Sequence, residues 1–408
     1  MHNYPIFSVI GIEIEYMLVQ QDTLEISPLA DQVLTQIAGE LVNEAPLGEI
    51  AVSNELVMHV LELKNITPQA PSTHLILKFQ EALANLKSYL APQNLTLLPT
   101  AAHPWMDPNA ETKRWPHDNH DIYSTYDQIF NCKGHGWSNL QSMHVNLPFA
   151  NDTEFNLLHN TSRLLLPLLP ALAASSPILE GKQTKYLDAR LAYYNQNQIR
   201  IPQISGDIVP EFIASEAEYT AKILQPMYEA IRPFDPNNHL QYEWLNSRGA
   251  IPKFDMGAIE IRLIDTQECI HADTAIAFTV FNVLKNWAAT LDLSKSYPTT
   301  KLKDLYLKTL KQGLNTRVED KELLNIWQLP AKLNTVRDVW SFLIEQHASQ
   351  LDPQSQNSLE IILNEGNLSE RILKSTGKEP TKKVLFNVYK DLSDCLFDNK
   401  MYLPREHS

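Results

Sequence analysis

The segment Val9-Ile10-Gly11-Ile12-Glu13-Ile14-Glu15-Tyr16-Met17-Leu18 decides the fold prediction, because carboxylates alternate with branched apolar residues in its middle. Alternation with a period of two predicts a strand, Val9–Leu18, with an acidic face and an apolar face. Glu13 and Glu15 share the acidic face, with Cα atoms roughly 6–7 Å apart. Two like charges this close repel each other unless they are solvated or bridged by a cation. The segment is therefore either a solvated edge strand or one wall of a site for a hard divalent metal such as Mg²⁺.

The composition of the 408 residues is typical of a globular protein, with 44% hydrophobic and 20% charged residues. The formal net charge of −14 argues against nucleic acid and against an anionic membrane as partners. Cys132, Cys269 and Cys395 lie far apart in the sequence, which argues against a zinc cluster and favours a reducing compartment. The longest apolar stretch, Leu164–Leu179, is interrupted by prolines and is too short to span a membrane. We therefore expect a cytoplasmic protein.

Strand and helix patterns alternate along the chain. Lysine content and helical stripes increase after about residue 295, as in the stripe that follows the capping-box pair Thr335 and Asp338. We therefore predict an α+β protein with a catalytic domain, residues 1–295, and a helical C-terminal extension, residues 296–408, packed on it. The further predicted elements are strands at Leu56–Leu63, Gln141–Leu147 and Ala258–Ile264, a helix opened by Ser27-Pro28, and helices at Thr73–Leu90 and Leu157–Leu172.

Two of these strands pair a carboxylate with a cation on one face. Glu260 and Arg262 share a face of the strand at 258–265, and a carboxylate beside a guanidinium can hold a metal and a phosphate oxygen together. Glu62 and Lys64 share a face of the second strand. A cross-strand ion pair and a solvated surface would produce the same patterns.

A third strand, at 141–147, places Ser142, His144 and Asn146 on one face. Neutral imidazole is a competent metal ligand, although a strand histidine is more often structural. Four strands with a polar stripe opposite an apolar stripe would form a plausible floor for chemistry on a magnesium–nucleotide complex. The sequence contains neither a P-loop nor a G-x-G-x-x-G motif, so a bound nucleotide would be held by metal and arginine.

Six motifs follow one another along the chain. They are GIEIEY at 11–16, ELKN at 62–65, HPW at 103–105, QSMHVN at 141–146, ALAASSPILEG at 171–181 and AIEIRLID at 258–265. In this order they resemble the motifs of the glutamate–cysteine ligase family 2, also called the carboxylate–amine ligases. The resemblance spreads over roughly residues 9–270. One departure is Ser142, where some members of the family have a histidine.

The resemblance implies a glutamine-synthetase-like fold, in which helices back a curved antiparallel sheet whose concave face is the active site. It also implies ATP and two or three Mg²⁺ (or Mn²⁺) ions. Glu13, Glu260 and Arg262 would be catalytic, Arg262 and Arg248 would contact the phosphates, and Arg190 would contact an amino-acid substrate. The implied metal ligands are Glu13, Glu15, Glu62, His144 and Glu260.

The reaction implied by the resemblance joins an acid to an amine. ATP would convert the γ-carboxylate of glutamate into an acyl phosphate, which an amine such as cysteine then attacks. The alternatives are a ligase with another acid and amine, a non-catalytic nucleotide- or metal-binding relative, and a metal-dependent amide hydrolase. Tyr123 and Tyr126 fit helix packing better than substrate contact, and the C-terminal helices would form a structural cover or the surface of a homo-oligomer.

Overall fold

The structure is a computed structural model that describes residues 4–294 and 296–405. Eight strands of the described chain form one antiparallel sheet in the order β2-β3-β4-β1-β6-β10-β9, with β5 paired to the C-terminal half of β1. A short hairpin, β7-β8, lies outside it. The α+β prediction is therefore confirmed. The strands are β1 Gly11–Gln20, β2 Glu44–Leu47, β3 Ile50–Asn54, β4 Val60–Asn65, β5 Leu95–Leu98, β6 Ser142–Pro148, β7 Ile178–Leu179, β8 Lys182–Gln183, β9 Ala250–Lys253 and β10 Ala258–Asp265.

The helices cover the apolar face of the sheet and continue to the C-terminus. The longest of them, α11, is buried along most of its length and packs against α2, α6, α14 and α15. The helices are α1 Ala30–Ala38, α2 Thr73–Leu90, α3 Pro108–Glu111, α4 His120–Phe130, α5 His135–Ser138, α6 Asp152–Leu165, α7 Leu169–Ala173, α8 Ala189–Tyr194, α9 Glu216–Tyr219, α10 Gln225–Ile231, α11 Ile270–Thr290, α12 Thr299–Gln312, α13 Lys321–Ile326, α14 Val336–His347, α15 Pro353–Glu365, α16 Leu368–Thr376 and α17 Lys382–Asp398.

The alternation of β1 works as predicted. Ile12, Ile14 and Tyr16 point into the main hydrophobic core and are fully buried. Burying each such side chain contributes roughly 1.5–3 kcal/mol, which holds the strand in one register because a slip of one residue would bury the carboxylates instead. Glu13 and Glu15 consequently lie on the opposite face of the sheet.

Two predicted elements were wrong in detail. Residues 56–59 precede β4 as a connection, because the backbone of Leu56 and Met58 pairs with residues 113–115 rather than with a strand of the sheet. Strands β2 and β3 were not predicted. Ser27 does not cap a helix, because its amide donates to Leu18 and its hydroxyl accepts from Gln20; the helix begins at Ala30 without a side-chain cap.

Other predicted elements are confirmed. The helix Thr73–Leu90 has the predicted bounds and is capped by the side chain of Ser72. Thr335 and Asp338 form the predicted capping box of α14. The helix predicted at Leu157–Leu172 is present as α6 and α7, separated by a short 3₁₀ turn at Pro167.

The C-terminal helices contribute to the same core as the sheet. Leu302, Leu310 and Trp340 belong to the main cluster, and α16 and α17 form a second cluster with Met17 and Val19 of β1. Helices α16 and α17 therefore pack against the C-terminal end of β1, on the same face of the strand as Glu13 and Glu15. The division at residue 295 stays a prediction, and Lys295 lies outside the described residues. Within the described chain, none of the helices has the length and apolar character that crossing a bilayer requires.

Candidate active site

The register of four neighbouring strands brings the predicted metal ligands together. On β1, Glu13 lies opposite His144 of β6 and Glu15 lies opposite Glu62 of β4. On β10, Glu260 lies opposite Asn146 of β6. All of them point away from the helices that back the sheet, so side chains far apart in sequence meet on one face.

The first group of acidic side chains surrounds one edge of His144. Its Nδ1 lies 3.2 Å from Oε2 of Glu13 and 3.8 Å from Oε1 of Glu260. Arg262 approaches Glu260 at 2.8 Å, and Lys253 of β9 contacts the other oxygen of the same carboxylate. Burial would raise the pKa of Glu260, but Arg262, His144 and Lys253 lower it below its ordinary value. This side of the site is held ionised.

The second group lies on the other side of the imidazole. Ser142 donates from its backbone N–H (2.7 Å) and from its hydroxyl (3.0 Å) to Oε2 of Glu15, and its Oγ is 2.9 Å from Nε2 of His144. Glu62 accepts a hydrogen bond of 3.0 Å from Ser53 and lies 3.2 Å from Lys64. The serine therefore orients both a carboxylate and the imidazole.

The acidic groups on this second side lack sufficient counter-charge. Burial, and then the charges of Glu15 and Glu13, raise the pKa of Glu55 to about 8. Burial, and then the charges of Glu13 and Glu55, raise the pKa of Glu62 well above its ordinary value. Carboxylates in this state take up protons unless a cation neutralises them.

The donor set fits hard divalent cations. Single ligand atoms of Glu13, His144 and Glu260 lie within 4.8 Å of one another, and the same holds for Glu15, Glu62 and His144. Carboxylate oxygens with one imidazole suit Mg²⁺ or Mn²⁺. The predicted ligands therefore converge into two adjacent groups that share His144 and that could each hold a cation.

A cavity of about 450 Å³ opens on the Glu15 side. We call it the aromatic cavity because five aromatic side chains line it. Glu15, His144, Arg190 and Arg262 form its charged floor, and Glu55 lies in its wall. The aromatic side chains are Tyr123, Tyr126, Trp137, Tyr194 and Trp244.

A cavity of about 500 Å³ opens on the Glu13 side. We call it the lysine cavity because Lys64 and Lys253 line it together with Glu13. Apolar side chains, including Ile66 and the largely exposed Met256, form another part of its lining. Glu15 and His144 line the aromatic cavity and Glu13, which contacts His144, lines the lysine cavity, so these three side chains form the partition between the two cavities.

The structure places Arg190 and Arg248 differently. Arg190 lines the aromatic cavity, and Asp265 holds its Nε at 2.5 Å. Arg248 was predicted to contact phosphates, but it lines neither described cavity. Its buried guanidinium forms two hydrogen bonds with Glu211 and others with the backbone carbonyls of Gln203 and Ile204, so it holds loops together.

Several lining residues were absent from the predicted site. Lys253 precedes the turn at Gly257 that leads into β10, so a hairpin prediction would have placed it beside Glu260. Glu55, which lies in the connection before β4, was not among the predicted site residues. Tyr123 and Tyr126 were predicted to pack in a helix, which they do, but they also line the aromatic cavity.

Comparison with known proteins shows which family the chain resembles. The model of glutamate–cysteine ligase family 2 matches residues 9–389. An uncharacterized protein of Archaeoglobus fulgidus is 34% identical over 395 residues, which cover 97% of this chain and all of that protein. A protein of Verminephrobacter eiseniae, provisionally named glutamate–cysteine ligase 2, is 25% identical over 281 residues, which cover 66% of this chain and 64% of that protein.

Two solved structures share the fold. A glutamate–cysteine ligase from Francisella tularensis, in complex with AMP, has a TM-score of 0.56 at 15% identity and covers 95% of this chain and 88% of its own. A bifunctional glutathione synthetase from Pasteurella multocida has a TM-score of 0.54 at 12% identity, covering 95% of this chain and 53% of its own. The fold predicted from the sequence resemblance is confirmed.

Proposed function

The chain belongs to glutamate–cysteine ligase family 2, a family of ATP-dependent carbon–nitrogen ligases, and we propose that it activates the γ-carboxylate of glutamate as an acyl phosphate and joins it to an amine. The observation that carries this proposal is the position of the cluster of Glu13, Glu15, Glu62, His144 and Glu260. It lies between two cavities, as a phosphoryl transfer between two substrates requires.

We assign the nucleotide to the lysine cavity. Lys64 and Lys253 supply positive charge for the phosphates, and the apolar lining around Ile66 supplies a surface for the base. Gly257 has a backbone φ of +63°, and a Cβ there would lie 3.1 Å from the carbonyl oxygen of Phe149. Glycine therefore keeps this wall open where a larger residue would strain the turn.

We assign glutamate to the aromatic cavity. Arg190 is held by Asp265, whose other oxygen accepts hydrogen bonds from the backbone of Ser175 and the hydroxyl of Ser176. A guanidinium fixed in this way is suited to bind a carboxylate at one end of the substrate. The other end of the substrate would then reach the partition formed by Glu15 and His144.

Mg²⁺ (or Mn²⁺) held by the five predicted ligands would neutralise the phosphates and the carboxylates. The chain itself orients the reactants. Arg262 lines the aromatic cavity and contacts Glu260 of the carboxylate–histidine cluster, where it can stabilise the negative charge of the phosphoryl group during transfer. His144 is fixed by Ser142 and Glu13, so its ring cannot rotate away from the partition.

The first step makes a bond between the γ-carboxylate oxygen of glutamate and the γ-phosphorus of ATP, and ADP leaves. In the second step, the amine nitrogen attacks the acyl carbon, phosphate leaves with its bonding electrons, and the nitrogen loses a proton. Charge neutralisation and alignment dominate the first step. The aromatic side chains that surround the acyl carbon help to exclude water, which would hydrolyse the intermediate.

The test supplies purified protein with ATP, Mg²⁺, glutamate and hydroxylamine, a small nucleophile that traps acyl phosphates. We expect ADP and γ-glutamyl hydroxamate in equal amounts, each dependent on glutamate. ADP release that ignores glutamate would refute the assignment of the acid. Amide hydrolysis without ATP would instead favour a hydrolase.

We also propose that the protein works in the cytoplasm. Cys132, Cys269 and Cys395 are all free thiols in the structure, as a reducing compartment favours. Assembly into a homo-oligomer stays a prediction.

A further inference from the structure

We propose that the amine acceptor carries an aromatic ring, which stacks on the aromatic wall of the cavity that holds glutamate. This inference rests on the proposed function and specifies the second substrate. It follows from the shape, the lining and the exposure of one side of the aromatic cavity.

The aromatic wall, formed by Tyr126, Trp137 and Trp244, differs in chemistry from the charged floor. Tyr126 of α4 lies 5.5 Å from Trp137 of α5 and 6.0 Å from Trp244, measured between ring centroids. The floor is formed from β1, β6, β10 and α8. A substrate in this cavity would therefore have a charged part on the floor and a flat apolar part against the wall.

The wall continues outward to solvent. Trp244 is 36% exposed, and Tyr242, which is 55% exposed, stacks on it with ring centroids 5.7 Å apart and planes 12° apart. Burying one further ring against such a surface is favourable, because aromatic rings lose exposed area and gain specific ring–ring contacts. The outer wall is positioned as a binding surface for a ring that enters from solvent.

The position of the wall is specified by close backbone packing. A Cβ on Gly136 would overlap the side-chain oxygen of Asn197 and lie 3.1 Å from the backbone oxygen of Tyr193, so glycine lets α5 lie close to the end of α8. Tyr194 donates its hydroxyl to the carbonyl of Ser247 at 3.0 Å, which leaves its ring facing the cavity. Both contacts are formed without a ligand, and preformed contacts of this kind lower the entropy cost of binding.

The size of the cavity agrees with a second substrate larger than cysteine. A volume of about 450 Å³ falls among sites that enclose drug-sized ligands. Glutamate that is bound between Arg190 and the partition would leave the space beside the aromatic wall free for the second substrate. A thiol side chain has no flat face to use this surface, whereas an arylalkyl amine has one.

The amine of such an acceptor would attack the γ-glutamyl phosphate as described above, forming the C–N bond as phosphate leaves. The ring would stay against Trp137 and Trp244 while the amino group reaches toward the floor. No oxidant or reductant takes part.

The experiment compares acceptors on the intact protein with ATP, Mg²⁺ and glutamate. The acceptors are 2-phenylethylamine, its cyclohexyl analogue, cysteine and putrescine. We expect kcat/KM for 2-phenylethylamine to exceed that for cysteine by at least tenfold, and that for the cyclohexyl analogue by at least threefold. The second comparison separates ring stacking from apolar volume. Cysteine, putrescine or the cyclohexyl amine as the best acceptor would overturn the inference.

A variant adds a second measurement. Trp244→Leu should raise KM for 2-phenylethylamine about threefold to tenfold and change KM for cysteine less. Phe234→Leu is the matched control, because Phe234 is an exposed aromatic residue that lies outside the lining of the cavity. Equal effects of the two variants on KM for the aromatic amine would overturn the inference.

Hydroxylamine distinguishes the two proposals. If hydroxamate forms but the aromatic amine is not preferred, the proposed activation of glutamate stands, and only the proposal of an aromatic acceptor is overturned. Failure to form hydroxamate from glutamate would refute the proposed function itself.

Discussion

Glu15 and Glu62 stand directly opposite each other on adjacent antiparallel strands, and both side chains are buried. Like charges in such a pair destabilise a sheet, and burial raises the pKa of Glu62 with the help of Glu13 and Glu55. The fold therefore tolerates a local cost that a bound cation would remove. An arrangement of this kind is expected where function, rather than stability, selects the residues.

Glu62→Gln should stabilise the protein in the absence of divalent cations, because it removes one buried acidic group. We expect the melting temperature in EDTA to rise by a few degrees. Adding Mg²⁺ should stabilise the wild type by about 3 kcal/mol at a hundred times its Kd, and the variant much less. Thermal melts with and without Mg²⁺ measure both effects.

Glu345→Gln is the control for this comparison, because Glu345 is exposed on α14, away from the cluster. It should change neither melting curve. Equal responses of Glu62→Gln and the wild type to Mg²⁺ would contradict the assignment of Glu62 as a ligand.

Glu13→Gln should lower turnover by at least a hundredfold, because Glu13 joins the metal group to His144 and Asn146. The amide has nearly the same shape, so the circular dichroism spectrum should stay native. Steady-state ADP release measures the effect. Turnover near that of the wild type would remove Glu13 from the catalytic group.

Ser142→Ala should weaken the binding of Mg²⁺ by roughly tenfold to a hundredfold, since side chains that orient ligands have effects of this size. The variant loses the hydroxyl that contacts both Glu15 and His144. Titration of the melting temperature with Mg²⁺ provides the apparent affinity. Ser142→Thr retains a hydroxyl and should bind more tightly than the alanine variant; the opposite order would show that the hydroxyl is not what matters.

Arg371→Met should destabilise the protein by about 3–5 kcal/mol, because it leaves the buried carboxylate of Glu268 unpaired. The pair joins α16 to the segment that follows β10. The double variant with Glu268→Gln should lose much less than the sum of the two single variants. Chemical denaturation measures the cycle, and simple additivity would show that the two side chains are not coupled.

Buried histidines should lower the free energy of unfolding as the pH drops below about 6.5, whereas Glu55 and Glu62, whose pKa values are raised, contribute with the opposite sign. Burial lowers the pKa of His59 and of His103 to about 4, and that of His159 to about 3. The unfolded chain binds these protons near pH 6.5, whereas the folded chain does not. The contribution of each histidine to the free energy of unfolding is therefore fully present above pH 6.5. It decreases by about 2 kcal/mol for each histidine as the pH falls to 5.

Unfolding free energies between pH 7 and pH 5 measure this slope. His159→Leu removes the contribution of one histidine, so the variant should lose about 2 kcal/mol less stability than the wild type between pH 6.5 and pH 5. A slope that is the same in His159→Leu and in the wild type would contradict this account.

Much of the site could be predicted from local patterns. The period of two in β1 and β10 places Glu13, Glu15 and Glu260 on polar faces, and it depends only on the geometry of a strand. Arg248 shows the limit of such reasoning. An arginine near a motif can serve a phosphate or a carboxylate, and only the position of Glu211 shows that it serves the carboxylate.

The sequence by itself determined which faces of the strands are acidic, where α2 and α14 begin, and the family to which the chain belongs. These features depend on neighbours a few residues apart and on ordered motifs. The tertiary structure alone decided that Ser142 reaches Glu15, that Asp265 holds Arg190, and that Tyr126, Trp137 and Trp244 form one wall. The physical reason is that strand order and loop paths depend on the packing of the whole core, which no local pattern encodes.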